Sequence, residues 1–501
     1  MIFTDLKGAL TKLALITETE HKKKYPEYLP KKPAVTLKPH QERVHRKLLQ
    51  SPGMLVYHGL GSGKTITSIT AADALGLDAE AVVPAALRPN YEKEIQKVGP
   101  QSQFNVKSYE GFAKNPDTAN KLLIFDEAQR LQDPSSRRTL AAIANSPTAA
   151  KRIGLSGTPI QNRPEEIAPL LNILAGKRVL PTGEEFQRKF IGEREVKAKF
   201  LDRLIHGVQS GYEPTITNRD EFAKRVRGLV DYHPSVAEGF PKASIETVET
   251  PMSSMQSDVY DYITQSNRSF WNKVERNLPP NKRESRNLNA FMSGARQVSN
   301  TPAPFRKGMS IQDSFNNSPK MQQIVADVQK GIQTVPKFKS VVYSNYIGAG
   351  VAPVAHALAQ RGIPHHVFTG GMSDEERKQK VDDFNNDRVK VLLISGAGAE
   401  GLDLKGTRMV QIMEPHWNES RIKQVIGRAI RFRSHDHLPP EHRHVDVKHY
   451  QSTMKPGLLA KAFGKKPKTS ADQYLKNLAS SKQKLIDQFL KVLQEEGSRP
   501  A

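Results

Sequence analysis

The sequence contains no cysteine. Disulfide staples and cysteine-ligated zinc are therefore excluded, and nothing argues for an oxidising compartment. Tryptophan is almost as scarce: the two in the chain, Trp271 and Trp417, read as core residues in preference to stacking platforms for bases. Long apolar runs are missing as well, since no stretch approaches the roughly 20 residues that a membrane helix needs. The opening segment MIFTDLKGALTKLALITETE is interrupted by Asp5, Lys7 and Lys12. Its apolar spacing suits a short amphipathic helix and not a signal peptide. These absences together place the expected site of action in a cytoplasm or nucleoplasm. The last deficit is negative charge. Asp and Glu number 52 against 75 Lys and Arg, a formal charge of +23. Such an excess points to a polyanionic partner, because each phosphate neutralised by Lys or Arg releases a condensed counterion.

At 501 residues the chain is too long for one compact domain. Residues 1–36 form an N-terminal extension, of which 20–36 are basic and proline-bearing. From residue 37 to 184, short apolar runs alternate with helix-like stretches. LVYHG (55–59), AVVP (81–84), KLLIFDEA (121–128) and KRIGLSGTP (151–159) each read as a buried strand that ends in a loop. Continuous apolar runs separated by crossover-length segments predict a doubly wound parallel sheet, whose active sites lie at the carboxyl ends of the strands. Residues 185–317 lose the strand signal and read as a mainly helical insertion. A second alternating region spans 318–460, with strands expected at 339–345, 364–370, 389–395, 408–414 and 445–450. The tail, 461–501, is a basic linker followed by one helix. Its apolar stripe (Leu475, Leu478, Leu485, Ile486, Phe489, Leu490 and Leu493) is expected to fold back on the body.

The residues Gly59-Leu60-Gly61-Ser62-Gly63-Lys64-Thr65 follow a buried strand and open a helix. Strict phosphate-loop spacing would need glycine at 58, where histidine stands. The physical content survives: backbone N–H groups of the turn and the helix start can cradle phosphates. Lys64 can reach the β- and γ-phosphates and the Thr65 hydroxyl can bind Mg²⁺. IFDEAQ (124–129) then sets two adjacent carboxylates at the end of an apolar strand. Buried carboxylates are costly unless they meet a cation or a water-filled site. Asp126 is expected to hold Mg²⁺ through water, and Glu127 to polarise the attacking water as general base.

With these motifs in place, the chain resembles a superfamily 2 helicase or translocase over nearly its whole length. LKPHQ (37–41) resembles the adenine-reading segment, with Gln41 as base contact. VVPAALRPNYEKE (82–94) and SYEGF (108–112) resemble the next motifs. GLSGTPIQN (154–162) resembles motif III in its Swi/Snf form, SGAGAEGLDL (395–404) motif V, and QVIGRAIR (424–431) motif VI. MEPHWNESR (413–421), GLVDYH (228–233) and the segment 424–450 resemble the poxvirus and large-DNA-virus branch of that family.

The resemblance implies two tandem RecA-like α/β lobes, with ATP and Mg²⁺ as cofactors. It implies that Arg428 and Arg431 reach across the cleft as arginine fingers, joined by Gln424, and that Ser156, Thr158, Gly401 and Asp403 couple hydrolysis to lobe movement. Arg88, Asn90, Ser395 and basic residues of 268–296 are expected to touch a nucleic-acid backbone. The expected track is DNA, duplex in preference to single-stranded. The expected action is translocation that remodels a nucleoprotein complex, such as one containing RNA polymerase. A strand-separating or branch-migrating helicase is the alternative, and a nucleotide-gated binding subunit without motor activity a third.

Overall fold

The computed structural model describes residues 35–59, 61–196, 211–234, 239–278, 287–396, 402–416, 419–431, 433–455 and 468–500. Two six-stranded sheets organise the chain, and every pairing within them is parallel.

The first sheet contains β1 (Gly53–His58), β2 (Ala79–Val83), β3 (Phe104–Ser108), β4 (Leu122–Asp126) and β5 (Lys151–Ser156). A short ribbon follows, formed by β6 (Ile191–Val196) and β7 (Gly211–Ile216). β8 (Val230–His233) then returns to the first sheet, giving the order β3-β2-β4-β5-β1-β8. The chain crosses to the second sheet at β9 (Lys242–Pro251). That sheet is completed by β10 (Ser340–Ser344), β11 (His365–Phe368), β12 (Val391–Ser395), β13 (Met409–Ile412) and β14 (His444–Thr453), in the order β11-β12-β10-β13-β14-β9.

Burial explains which strands form where. All six residues of β1 and all five of β2 are buried, because helices cover both faces of the sheet. Parallel pairing needs long crossovers, and helices such as Lys64–Leu75 and Arg88–Val98 supply them.

Residues 185–317 were expected to be a mainly helical insertion. Besides helices, the described residues there include four strands, of which β8 extends one sheet and β9 the other. β9 escaped notice because it lies on a sheet edge and is exposed along most of its length, so no apolar run marks it. The helical part, 254–300, has its own core, in which Phe270, Trp271 and Met292 meet Tyr474 and Leu475 of the tail. Trp271 is thus a core residue; Trp417 lies outside the described residues.

The tail forms one helix, Ala471–Gly497, started by Ser470, whose hydroxyl accepts the Gln473 N–H in a capping box. Its first turns join the helical core just described. Leu485, Ile486, Phe489, Val492 and Leu493 join the core of the first lobe, beside Phe186, Phe190 and Phe222. One helix therefore ties the two halves of the molecule together.

Candidate active site

β4, β5 and β1 are neighbours in the sheet, so their carboxyl ends bring three motifs side by side. The turn after β1 carries Gly59, Gly61, Ser62 and Gly63, and the helix Lys64–Leu75 begins at once. Gly61 and Gly63 have φ of 74° and 78°. At its φ of 78° a side chain on Gly63 would be strained, and its Cβ would stand 2.6 Å from Gln41 Nε2. Ser62 Oγ donates to the Gly59 carbonyl at 2.8 Å. Lys64 Nζ donates back to the carbonyls of His58 and Gly59, at 3.0 and 3.1 Å. Burial lowers the Lys64 pKa, while Glu127 and Asp126 pull it upward.

Asp126 ends β4. Burial, then the adjacent Glu127 charge, pushes its pKa up to about 7, against the opposing pull of a bond from the Glu127 N–H and of Lys64. Two carboxylates and one lysine leave the corner short of positive charge. Hard oxygen donors on Thr65 and Asp126 suit a small divalent cation, which takes one or two protein ligands plus phosphate and water. Among the described residues there is no group of three or more His, Cys, Asp or Glu that could hold a metal by itself.

Glu127 occupies the left-handed region, with φ of 51°. Its carboxylate accepts from Gln129 Nε2. Gln129 Oε1 accepts in turn from Ser156 Oγ at 2.6 Å, and Ser156 Oγ accepts the Thr158 N–H at 3.1 Å. A continuous chain of hydrogen bonds therefore runs from the carboxylate pair to the end of β5. Gln129 was legible only as part of IFDEAQ; its amide makes it the bridge.

From the second lobe, the helix Glu419–Ala429 carries Gln424 and Arg428 and is followed by Arg431. These three line a cleft of about 1510 Å³ together with Gly59, Lys64, Glu127, Gln129 and Thr158 of the first lobe. Arg431 Nη1 donates to Asp403 Oδ1 at 3.1 Å, which joins motifs V and VI. Gly401 lies outside the described residues.

Of the residues expected to contact a base or a nucleic-acid backbone, Gln41 and Ser395 are buried, while Arg88 and Asn90 are exposed. Gln41, expected to read a base, is buried; its Oε1 accepts the Lys38 N–H at 2.8 Å and its Nε2 donates to the Gly63 carbonyl at 3.2 Å. In this conformation it braces the loop. Ser395 ends β12 with 3% exposure. Arg88 is exposed but is engaged with Glu92 at 3.2 Å, one helical turn on, and exposed Asn90 lies beside it. Of the basic residues in 268–296, Arg296 is mostly buried and donates to the Pro415 carbonyl at 3.2 Å.

Sequence reasoning also passed over an ion cluster behind the loop. Asp231, on β8, accepts from Arg43 Nε at 2.7 Å, Lys47 Nζ at 2.9 Å and His58 Nε2 at 2.7 Å. Burial alone would raise its pKa, but these three partners hold it well below the usual carboxylate range. GLVDYH was visible as a motif, and the aspartate within an apolar strand was the signal available.

A phosphate loop and a carboxylate pair on one sheet, facing arginines from a second, define a two-lobed nucleotide hydrolase. The SNF2-related domain model matches residues 10–303, more than half the chain, and the helicase conserved C-terminal domain matches residues 322–433. The chain belongs to the SNF2-related family and is an ATP hydrolase of the nucleic-acid-dependent motor class. It is 29% identical over 472 residues to a putative ATP-dependent RNA helicase of Acanthamoeba polyphaga mimivirus, covering 92% of this chain and 97% of that one. A termination factor NPH-I homolog of African swine fever virus is 25% identical, over 78% of this chain and 68% of its own. Nucleoside triphosphatase I of Melanoplus sanguinipes entomopoxvirus is 26% identical, over 78% and 64%. A solved Sulfolobus solfataricus SWI2/SNF2 ATPase core in complex with dsDNA aligns loosely, at a TM-score of 0.37 and 17% identity, over 93% of this chain and 99% of that one.

Proposed function

We propose that the chain is an ATP-driven translocase on double-stranded DNA that displaces or remodels nucleoprotein complexes, transcription complexes among them. The observation that carries this reading is the shared cleft, where Lys64 and Glu127 of one lobe face Gln424, Arg428 and Arg431 of the other. Backbone N–H groups after β1 and the Lys64 ammonium hold the triphosphate. Thr65, and Asp126 through water, would hold Mg²⁺, which would neutralise charge on the triphosphate. Glu127 orients the attacking water and takes up its proton, kept in place by Gln129. Arg428 and Arg431 supply the remaining positive charge when the lobes close. The bonds through Gln129 and Ser156 to Thr158, and from Arg431 to Asp403, give each lobe a route by which hydrolysis is felt outside the pocket. The formal charge of +23 supports a nucleic-acid track, and the SNF2 relationship favours duplex DNA. Arg88 and Asn90, exposed at the start of their helix, are offered as phosphate contacts that position without reading sequence.

A strand-separating helicase is the second reading, favoured by the name of the mimivirus relative. Three assays on one preparation separate the two: ATPase stimulation by duplex and single strands, displacement of a triplex third strand, and unwinding of a forked duplex. Duplex stimulation with triplex displacement and no unwinding is expected. Robust fork unwinding would overturn the translocase in favour of the helicase.

A further inference from the structure

Behind the phosphate loop lies a block of three imidazoles. The His233 ring stacks on His40, with centroids 3.8 Å apart and planes 7° from parallel. His58 presents its edge to both, at 5.4 and 5.7 Å. The block grips the loop at two points. The His233 carbonyl accepts the Gly59 N–H at 2.9 Å, and His40 Nε2 lies 2.8 Å from the Ser62 carbonyl. We propose that His233 is a positioning residue for the triphosphate site, seating the phosphate loop through its stack on His40. The proposal rests on reading the Lys64 loop as that site.

The need for such a seat follows from the loop's composition. Glycine loses more conformational freedom on folding than any other residue, and the loop has Gly61 and Gly63 at positive φ. Convergent N–H groups bind phosphate only if the turn is held open in one shape. Anchoring Gly59 and Ser62 from behind fixes both ends of the turn without occupying its concave side. None of the three rings is among the residues lining the cleft. The block is itself anchored: His58 is bonded to Asp231, which also holds Arg43 and Lys47 of the helix that carries His40.

Charge around the stack favours a neutral His233 ring. His233 faces His40 and Arg43 from one helix, His58 from β1, and Asp231 on its own strand. Burial, helped by His40, His58 and Arg43, pushes its pKa down to about 4, against the pull of Asp231. A fixed cation there should act against the seat and not merely remove it.

The position of His233 adds a second consequence. β8 is the last strand of the first lobe before the chain crosses to β9 in the second. The C-terminal helix, which returns from the second lobe, ends against the same strand: a Cβ on Gly497 would lie 2.8 Å from the Tyr232 nitrogen. The C-terminal helix therefore meets the first lobe at the strand that carries His233.

The test uses the full chain, ATPase kinetics at saturating duplex DNA and a thermal melt of each variant. His233→Ala should raise the KM for ATP about tenfold, the scale of one lost anchoring contact, and change kcat by less than about threefold. His233→Phe, which keeps an aromatic ring on His40, should restore KM. His233→Lys should be worse than alanine. His40→Ala reads the same stack from the other side should His233→Ala fail to fold. A wild-type KM in whichever alanine variant folds overturns the proposal, as does equal impairment of the alanine and phenylalanine variants. Lys64→Ala is the control. If it binds a fluorescent ATP analogue normally, the site itself is misread. If it loses binding while His233→Ala behaves as wild type, only the present inference fails.

Discussion

Glu127 is held in a backbone conformation that non-glycine residues rarely adopt, and such conformations persist where surrounding structure enforces them. The Tyr109 hydroxyl donates to the Asp126 carbonyl at 2.7 Å, and Gln129 holds the carboxylate itself. Glu127→Gln keeps the shape and removes the base. Its expected effect is a fall in kcat of about 10²–10⁴ with ATP binding retained, the usual range for loss of one general base. Steady-state hydrolysis beside nucleotide titration checks both halves, and normal turnover would refute the assigned role. Asp231 makes a different prediction. Its removal strands Arg43 and Lys47 beside a buried site, and breaking such a cluster from one side costs about 3–5 kcal/mol. Because its folded pKa is depressed, the stabilisation is fully present above the unfolded value of about 3.9 and is lost as pH falls toward the folded one. Urea unfolding of wild type and Asp231→Asn should therefore show a wide gap at pH 7 and a narrower one near pH 3. A gap that does not change with pH would deny the carboxylate this role.

At the scale of elements, the C-terminal helix makes the clearest quantitative case. Phe489 is fully buried, with ring centroids 5.6 Å from Phe186 and 5.1 Å from Phe222. Phe489→Ala leaves a cavity that the flanking rings cannot all fill, at a cost of about 3–5 kcal/mol. Loss of the Ser470 cap is expected to cost only about 1 kcal/mol. Denaturant midpoints of the two variants should rank in that order. The same helix illustrates what the sequence reveals. Its stripe from Leu475 to Leu493 was readable because period 3.6 survives in a half-buried helix. β1, β2, β4 and β5 were readable because strands covered on both faces carry short runs of consecutive apolar residues. β3, with Asn105 and Lys107, and the exposed β9, with Glu246 and Glu249, are edge strands written in polar residues. β8 is four residues long with an aspartate inside it, and its place beside β1 depends on partners about 170 residues earlier. No local pattern encodes such a pairing. Gln41 shows the converse limit: its motif was recognisable, but its engagement with Gly63 depends on how the helix docks.

For the whole molecule, the decisive quantity is the distance across the cleft. Motif spacing gave the residues on each wall, while only the assembled lobes show that one cavity is lined by both. If closure makes the site, Arg428→Ala should bind ATP yet hydrolyse it about 10³-fold more slowly, the lower bound for a missing arginine finger. It should also fail to close. The absence of cysteine makes that measurable without background labelling. Glu184→Cys and Lys423→Cys place one probe on each wall of the cleft. With a fluorophore pair on those sites in a Glu127→Gln background, ATP and duplex DNA together should shorten the mean distance. Adding Arg428→Ala should leave it at the nucleotide-free value although ATP is bound. An unchanged distance in the Glu127→Gln protein itself would mean that the lobes already stand in their working arrangement. The helix bridging them would then be a fixed brace, and motion along the track would have to arise from the loops alone.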